Sequence, residues 1–298
     1  MKKLLIFLMI CAGVMISCED VIEVDLPTGD SRLIVDGLIR VDTTETYIPV
    51  AIKVSESTGF FEEIPVASLE NIIIIYEQIE DGIVVFTGSS SLAEVEPGSG
   101  IYEPDPNFDS DQRIPTSVLQ RENLRFNLII RHRGRQYIAQ TFYVPSVPVD
   151  NLEQGTGTLF EGDETEVLVS FTDNPDRVDF YLFDFGFDEF LTSEDEFYQG
   201  QQFQFSYFYD QEFDAGTELE ISIMGVDQEF FNYMDLILEQ TQQSVGFFET
   251  PRATIRGNVI DITDLDNINV TDNTNQPDVF PLGYFAIVQE FKETLVIQ

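Results

Sequence analysis

The residues with the most definite chemistry stand near the start of the chain, in the sequence Met15-Ile16-Ser17-Cys18. Lys2 and Lys3 are followed by a short apolar run, which is the pattern of a bacterial secretion signal. That run is too short to remain as a permanent membrane span. The small residue before Cys18 completes the pattern of a lipobox, in which the cysteine becomes the new N-terminus and carries acyl chains. We therefore predict a lipoprotein signal peptide over residues 1–17 and lipidation at Cys18.

Lipidation at Cys18 would tie a water-soluble body to a membrane, because several acyl chains together hold a protein there stably. Cys11 is the competing cleavage site, but bulky Ile10 precedes it, which a signal peptidase should disfavour. The chain has only these two cysteines. After cleavage and acylation the mature body would have no thiol, which excludes a disulfide, a cysteine zinc site and a cysteine nucleophile.

The charge of the chain is strongly negative, with 54 acidic and 15 basic side chains and a formal net charge of −39. Nucleic acid is therefore excluded as a partner, because phosphate binding needs a basic surface. Solubility at a salty exterior would account for the charge. Attraction of cationic ligands or divalent ions is the alternative.

The basic residues are concentrated in one stretch, around the only histidine of the chain, His132. The segment Arg131-His132-Arg133-Gly134-Arg135 predicts the tip of a hairpin. There His132 would be too exposed to act as a catalytic base. Charges at such a tip are usually solvated, and the alternative is contact with the acidic half of the chain or with an acidic partner. The arginines of this stretch are Arg113, Arg121, Arg125, Arg131, Arg133 and Arg135.

Two acidic segments contain candidate calcium ligands. Calcium requires six to eight oxygen ligands from a defined loop, and neither segment has the glycine and glutamate of an EF-hand in register. A carboxylate pair could also catalyse glycoside hydrolysis, but no local motif selects a pair among so many acids. We therefore predict neither an enzyme, nor a cofactor, nor an assigned metal site. The candidate calcium ligands are Asp105, Asp109 and Asp111 in one segment and Asp261, Asp264, Asp266 and Asp272 in the other.

The elements that must position these residues are mostly strands. Residues 18–30 form an acidic tether, and short alternating runs separated by turns follow it, with a hairpin turn predicted at Glu80-Asp81-Gly82. This spacing predicts an immunoglobulin-like antiparallel β-sandwich over residues 31–148. Two prolines, Pro145 and Pro148, mark the boundary to a second β-rich domain over residues 149–298. One helix is predicted near residues 228–242, with Asp227 as its N-cap.

The second half contains two runs of alternating aromatic residues in a region from Val178 to Pro251 that has no lysine, arginine or histidine. One interpretation is a sheet with an aromatic core and an acidic face toward solvent. The other is a recognition surface, because aromatic rings stack on ligands and acids bind cations. The two runs are Tyr181, Phe183, Phe185 and Phe187, and Phe203, Phe205, Tyr207 and Tyr209.

Several segments in a fixed order resemble the Bacteroidetes lipoprotein family known as domain of unknown function 4249. The resemblance covers nearly the whole mature chain, although the Asn/Asp-rich insert from Asp261 to Pro281 is long and this chain is unusually acidic. The resembling segments are Cys18–Pro27, Arg32–Gly37, Gly134–Tyr137, the helix after Asp227, Phe247–Pro251, Ile255–Val259 and Leu282–Phe285.

The resemblance implies an outer-membrane lipoprotein that is often encoded beside a TonB-dependent receptor. Glu19 and Asp20 resemble the acidic signal that sends such lipoproteins to the cell surface, although an acidic tether would look the same. We therefore expect a non-enzymatic lipoprotein that faces the cell surface and assists a TonB-dependent receptor barrel in substrate capture or transport. The alternatives are a structural accessory subunit of an outer-membrane assembly and a hydrolase that uses a carboxylate pair.

Overall fold

The computed structural model describes residues 31–59, 62–159, 162, 164–242, 254–263 and 280–298. The predicted signal peptide, the tether, Cys18, Glu19 and Asp20 lie outside these residues. The described chain is mostly β, as predicted, with one α-helix, α1 (Gln228–Gln242). Its strands are β1 (Leu33–Val41), β2 (Ile52–Glu56), β3 (Asn71–Glu80), β4 (Ile83–Glu94), β5 (Ile101–Pro104), β6 (Leu124–His132), β7 (Arg135–Val144), β8 (Val149–Gln154), β9 (Thr165–Thr172), β10 (Phe180–Asp184), β11 (Phe190–Glu194), β12 (Gln202–Tyr209), β13 (Glu218–Val226), β14 (Val259–Asp261) and β15 (Leu282–Val296).

The first half of the chain forms a closed sheet. Its strands neighbour one another in the order β1-β2-β5-β4-β3-β6-β7, and β15 pairs with both β7 and β1, which closes the ring. Alternate residues of β6, such as Phe126 and Leu128, point into an apolar core inside it. The structure thus does not confirm the immunoglobulin-like sandwich for this half, because one continuous sheet stands where two separate sheets were predicted.

The two hairpins predicted in this half are confirmed. β3 and β4 are joined by Asp81-Gly82, and β6 and β7 by Arg133-Gly134. All four of these residues have positive φ. A two-residue loop of this kind matches the twist of the flanking strands, and glycine takes up the conformation at little steric cost.

The long strand β15 belongs to both halves of the protein. Its residues from Leu282 to Gln289 pair in parallel with β1. Its residues from Glu290 to Val296 pair in antiparallel fashion with β13, which continues into β10 and β11. The C-terminal strand therefore returns to the closed sheet of the first half and connects it to the second half through backbone hydrogen bonds.

The second half is a layered unit. The three-stranded sheet β12-β9-β8 packs on the sheet that β13, β10 and β11 form with the end of β15. Aromatic rings fill the space between the two layers; Phe171 of β9, for example, lies 5.2 Å from Tyr181 of β10 between ring centroids. Tyr181, Phe183 and Phe185 are fully or almost fully buried. Apart from the exposed Phe187, the aromatic runs thus form or pack against a core, as the first of the two interpretations held.

Helix α1 covers the other face of this sheet. It begins where the Asp227 carboxylate accepts a 2.7 Å hydrogen bond from the Phe230 amide, so the predicted N-cap is confirmed. Phe230 is buried and its ring lies 4.8 Å from that of Tyr284 in β15. Tyr233 packs on the same ring at 5.0 Å. The apolar face of the helix is therefore used in packing on the larger sheet.

A polar cluster crosses the junction between the two halves. Arg40 of β1 forms ion pairs with Asp184 of β10, at 2.6 Å, and with Glu290 of β15. It also donates a hydrogen bond to Ser222 of β13. Burial works against the charge of Arg40, but the hydrogen bonds and charges of Glu290 and Asp184 outweigh it and raise the arginine pKa. One guanidinium thus ties together four strands.

Candidate functional site

A cleft of about 210 Å³ opens where β1 and β15 begin and where the β6–β7 hairpin turns. We call it the basic cleft, because arginine side chains converge on it in a chain that is otherwise strongly acidic. Ser31, the first described residue after the tether, lies on its wall. The cleft is lined by Ser31, Arg32, Leu33, Glu56, His132, Arg133, Arg135, Tyr137, Asp261, Phe280 and Pro281.

His132 is buried in the wall of this cleft, at 6% exposure, so the prediction that it is exposed was wrong. The ring nitrogen Nε2 lies 2.8 Å from Oε1 of Glu56, and Nδ1 lies 3.0 Å from the carbonyl oxygen of Ser68. The sequence did contain the signal, because His132 continues the alternation Leu124, Phe126, Leu128, Ile130 that points inward along β6.

Both ring nitrogens of His132 are engaged in contacts within the protein. Nε2 faces a carboxylate oxygen and Nδ1 faces a carbonyl oxygen. Glu56 itself is buried and also contacts Arg133 at 2.9 Å and Ser31 at 3.0 Å. Neither nitrogen of His132 is therefore directed at a substrate position in the cleft, and the pair holds the wall together.

The other side of the basic cleft connects the hairpin to the second half of the chain. Arg135 forms a 2.8 Å ion pair with Asp261. Arg32 and Arg256 both stack on Phe280, each with its guanidinium carbon 3.9 Å from the ring centroid. Such stacking is a favourable cation–π contact. The two predicted roles for the hairpin charges were solvation and contact with acidic groups. Arg135 has the second role, because it contacts an acid in the second half of the protein itself.

The remaining arginines of the basic stretch do not gather at the cleft. Arg113 pairs with Asp111 at 2.7 Å, and Arg125 pairs with Glu77 at 2.8 Å. Arg121 stacks on Phe86. Basic residues that lie within one stretch of the sequence are thus divided among separate local contacts.

The calcium candidates are also divided. Asp105 accepts a hydrogen bond from the Asn107 amide, while Asp111 is held by Arg113, which lowers the pKa of its carboxyl to about 2. Asp264, Asp266 and Asp272 lie outside the described residues. Within the part of the chain that the structure describes, no three acidic, histidine or cysteine side chains come together as a metal site. Calcium binding stays an untested prediction.

One buried group of carboxylates lies in the layered unit and bears on the hydrolase alternative. The Tyr181 hydroxyl lies 2.5 Å from Asp173 and 3.1 Å from Asp179, and Arg177 pairs with Asp179 at 2.9 Å. Burial raises the pKa of Asp179, and Arg177 opposes this shift. Asp173 and Asp179 are both buried and line neither of the two clefts described here. The arrangement therefore satisfies the polar groups of the core with one another.

The far end of the layered unit carries a second feature, which we call the aromatic tip and define as Phe187, Tyr209 and Phe213. Phe187 is 63% exposed, in the turn between β10 and β11. Its ring stacks on Phe213 with 5.6 Å between centroids and meets the edge of Tyr209 at 6.2 Å. Phe213 also lines an adjoining cleft of about 270 Å³, together with Glu164, Glu166 and Glu212.

The fold and these sites define a mostly β protein in which a closed sheet and a layered unit share one strand. None of the helices in the described residues is long and apolar enough to cross a membrane. Residues 19–271 match the family described as a domain of unknown function, DUF4249. The chain belongs to that family.

The other comparisons add little. No curated protein matches the chain. Among solved structures, the crystal structure of red sea bream transglutaminase is similar at 9% identity with a TM-score of 0.23. That similarity covers 90% of this chain and 31% of the transglutaminase chain, so this chain spans about a third of that protein. At such a TM-score it supports no argument about fold or activity.

Proposed function

We propose that this protein is a non-enzymatic outer-membrane lipoprotein, anchored at Cys18 and exposed at the cell surface, that assists a TonB-dependent receptor in substrate capture or transport. The observation that carries the proposal is the lipobox that ends at Cys18, in a chain that belongs to the DUF4249 family. The acidic residues Glu19 and Asp20 directly after it support export to the surface.

The position of the tether supports this arrangement. Ser31 lies at the basic cleft, where β1 and β15 begin, so the anchored segment enters the body at that end. β15 then runs for 15 residues, which is about 50 Å at the usual rise of a strand. An anchor at one end of this strand leaves the layered unit free to face away from the lipid.

The buried contacts support a binding role in place of a catalytic one. His132 is held between Glu56 and Ser68, and Asp173 and Asp179 are held in the core with Tyr181. A nucleophile or base must reach a substrate in a cleft. These groups are instead committed to internal contacts.

The lipid anchor is tested with two matched cysteine variants. Cys18→Ser should abolish incorporation of a fatty-acid label and release the protein from the outer membrane, whereas Cys11→Ser should leave both unchanged. Protease added to intact cells should digest the anchored protein. A labelled Cys18→Ser protein, or a protected body in intact cells, would contradict the proposal.

The partnership is tested by gentle detergent extraction of outer membranes and capture through a C-terminal tag. A stoichiometric TonB-dependent receptor among the captured proteins is the expected result. A structural accessory subunit is the second candidate, and the shared strand β15 favours it because it makes a stiff connection between two units. Capture of an assembly machine without a receptor would support the structural subunit and contradict the partnership with a TonB-dependent receptor.

A further inference from the structure

The strongest remaining feature is the aromatic tip, whose exposed ring none of the internal contacts explains. We propose that the tip is a docking surface for a cationic segment of a protein partner, namely a loop that carries lysine or arginine side chains. The inference deepens the proposed function by assigning the binding surface and the chemistry of the partner. It rests on the proposed function in one respect only, namely that the partner is a receptor.

The turn that presents Phe187 is held in a defined and costly conformation. Gly186, Phe187 and Asp188 have φ values of 73°, 55° and 61°. A bulky side chain in this left-handed region costs about 1–2 kcal/mol, and such strain persists only where surrounding contacts impose it. Here the Glu189 amide donates to the Gly186 carbonyl at 2.9 Å and the Gly186 amide donates to Asp184 at 2.8 Å.

The strained turn keeps a large apolar ring in water, where packing alone would not place it. Phe187 lies over Phe213 and against the buried Tyr209, so its orientation is fixed before any partner arrives. Aromatic rings that are rigid in the free protein lose little conformational freedom on binding. The exposed ring of Phe187, backed by Phe213, offers a platform with a negative face, which attracts a guanidinium or an ammonium group.

The negative charge around the tip favours a partner that carries positive charge. No lysine, arginine or histidine occurs between Val178 and Pro251, so the turn and the following strands carry only acids. Glu189 accepts a hydrogen bond from Tyr207 beneath the tip. Around the platform an anionic partner would be repelled and a cationic partner attracted. The acids in the three segments that form the tip are Asp188, Glu189, Asp210, Glu212 and Asp214.

The location of the tip suits a partner beyond the membrane anchor. Asp184, at the base of the turn, is paired with Ser222 of β13 across the sheet, and Ser222 is paired with Lys292 of β15. The stretch from Leu282, beside the basic cleft, to Lys292 is about 33 Å of strand. The tip thus lies well away from the point where the tether enters, and an anionic lipid surface is a poor occupant for it.

The direct test uses the absence of tryptophan from the chain. Phe187→Trp in the full lipoprotein, kept in detergent, gives a single fluorescent reporter at the tip. The probe is the peptide acetyl-Gly-Arg-Gly-Arg-Gly-amide, compared with the same peptide in which glutamine replaces arginine. Phe197→Trp is the matched control, because Phe197 is also highly exposed and directly follows two acids, in the 3-10 helix after β11.

The expected result is a saturable fluorescence change at position 187 with the arginine peptide. The glutamine peptide should bind at least about tenfold more weakly, and added salt should weaken the arginine peptide. Phe213→Ala in the Phe187→Trp protein should weaken binding about fivefold while the urea midpoint shows that the protein is folded. Equal responses at positions 187 and 197, no response at 187, or no effect of Phe213→Ala would overturn the docking surface.

A photoreactive phenylalanine analogue at position 187 tests the partner in cells, with position 197 as the control. A crosslinked protein peptide that contains lysine or arginine and is lost at high salt supports the inference. A crosslink to lipid, to glycan or to an acidic peptide overturns it. The peptide titration does not require a receptor, so its success without receptor capture would retain the docking surface and reject the proposed partnership.

Discussion

The ion-pair cluster at Arg40 gives a sharp test of how the two halves are held together. Arg40→Met removes the positive charge but keeps an unbranched chain of similar length. Glu290 and Asp184, with side chains only 7% and 15% exposed, would then lose the cation that they share. The exposed Lys292, 3.9 Å from Glu290, would be left as a distant partner of one of them. Two partly dehydrated carboxylates that lose their shared partner destabilise the folded state strongly.

The size of the effect follows from the burial. Removing one partner of a fully buried pair costs about 3–5 kcal/mol. The Arg40 side chain is 30% exposed, so water screens part of the interaction and we expect a loss of about 2–3 kcal/mol in the free energy of unfolding. With a urea dependence of about 3 kcal/mol per molar, the midpoint of unfolding should fall by roughly 1 M.

Equilibrium urea unfolding followed by circular dichroism measures this loss. Glu220→Gln is the control, because Glu220 and its partner Lys292 are 61% and 48% exposed and such a pair contributes less than about 1 kcal/mol. Arg40→Met combined with Asp184→Asn and Glu290→Gln should recover more than half of the loss, since no orphan charge remains. Equal losses for Arg40→Met and Glu220→Gln, or no recovery in the combined variant, would refute the reasoning.

Three further predictions concern backbone space, a carboxyl pKa and a phenol pKa. Gly283→Ala should unfold the protein or cost more than about 3 kcal/mol in the urea assay, because its new Cβ would lie 1.9 Å from a backbone oxygen. Gly216→Ala is the control. Its new Cβ has open space at a similar φ, so it should cost only about 1 kcal/mol. The hydrogen bond from the Ser206 hydroxyl lowers the pKa of Glu166 below its ordinary 4.5. The stability that this hydrogen bond contributes is present above pH 4.5 and is lost as pH falls through the folded pKa. Ser206→Ala should therefore destabilise the protein by less than about 1 kcal/mol at neutral pH and have no effect in acid. Burial raises the pKa of Tyr198 to about 12, so Tyr198→Phe should leave the phenolate absorbance of the folded protein unchanged near about pH 11 and lower it in denaturant.

Local elements followed from the sequence. Helix α1, its cap at Asp227 and the Asp81-Gly82 hairpin depend on neighbouring residues, whose preferences are local. The aromatic core also followed, because alternating Phe and Tyr residues on strands bury one face. These features needed no knowledge of which distant strands meet.

The closed sheet and the basic cleft did not follow from the sequence. Both depend on β15, whose pairing with β1 joins residues far apart in the chain; Arg40 and Glu290 are 250 positions apart. The place of His132 near a hairpin tip predicts that it is exposed, but Glu56 and Ser68 from elsewhere in the chain cover it. No local pattern of charge distinguishes such a covered residue from a solvated one.

The shared strand β15 also sets the order in which the protein can fold. Until β15 has emerged from the ribosome, β1 and β7 cannot close their ring and β13 lacks its neighbour. Contacts of such long sequence separation form slowly, because the entropy of closing a long loop is lost first. Neither the closed sheet nor the layered unit can thus be completed early in synthesis, since β15 completes both units at once.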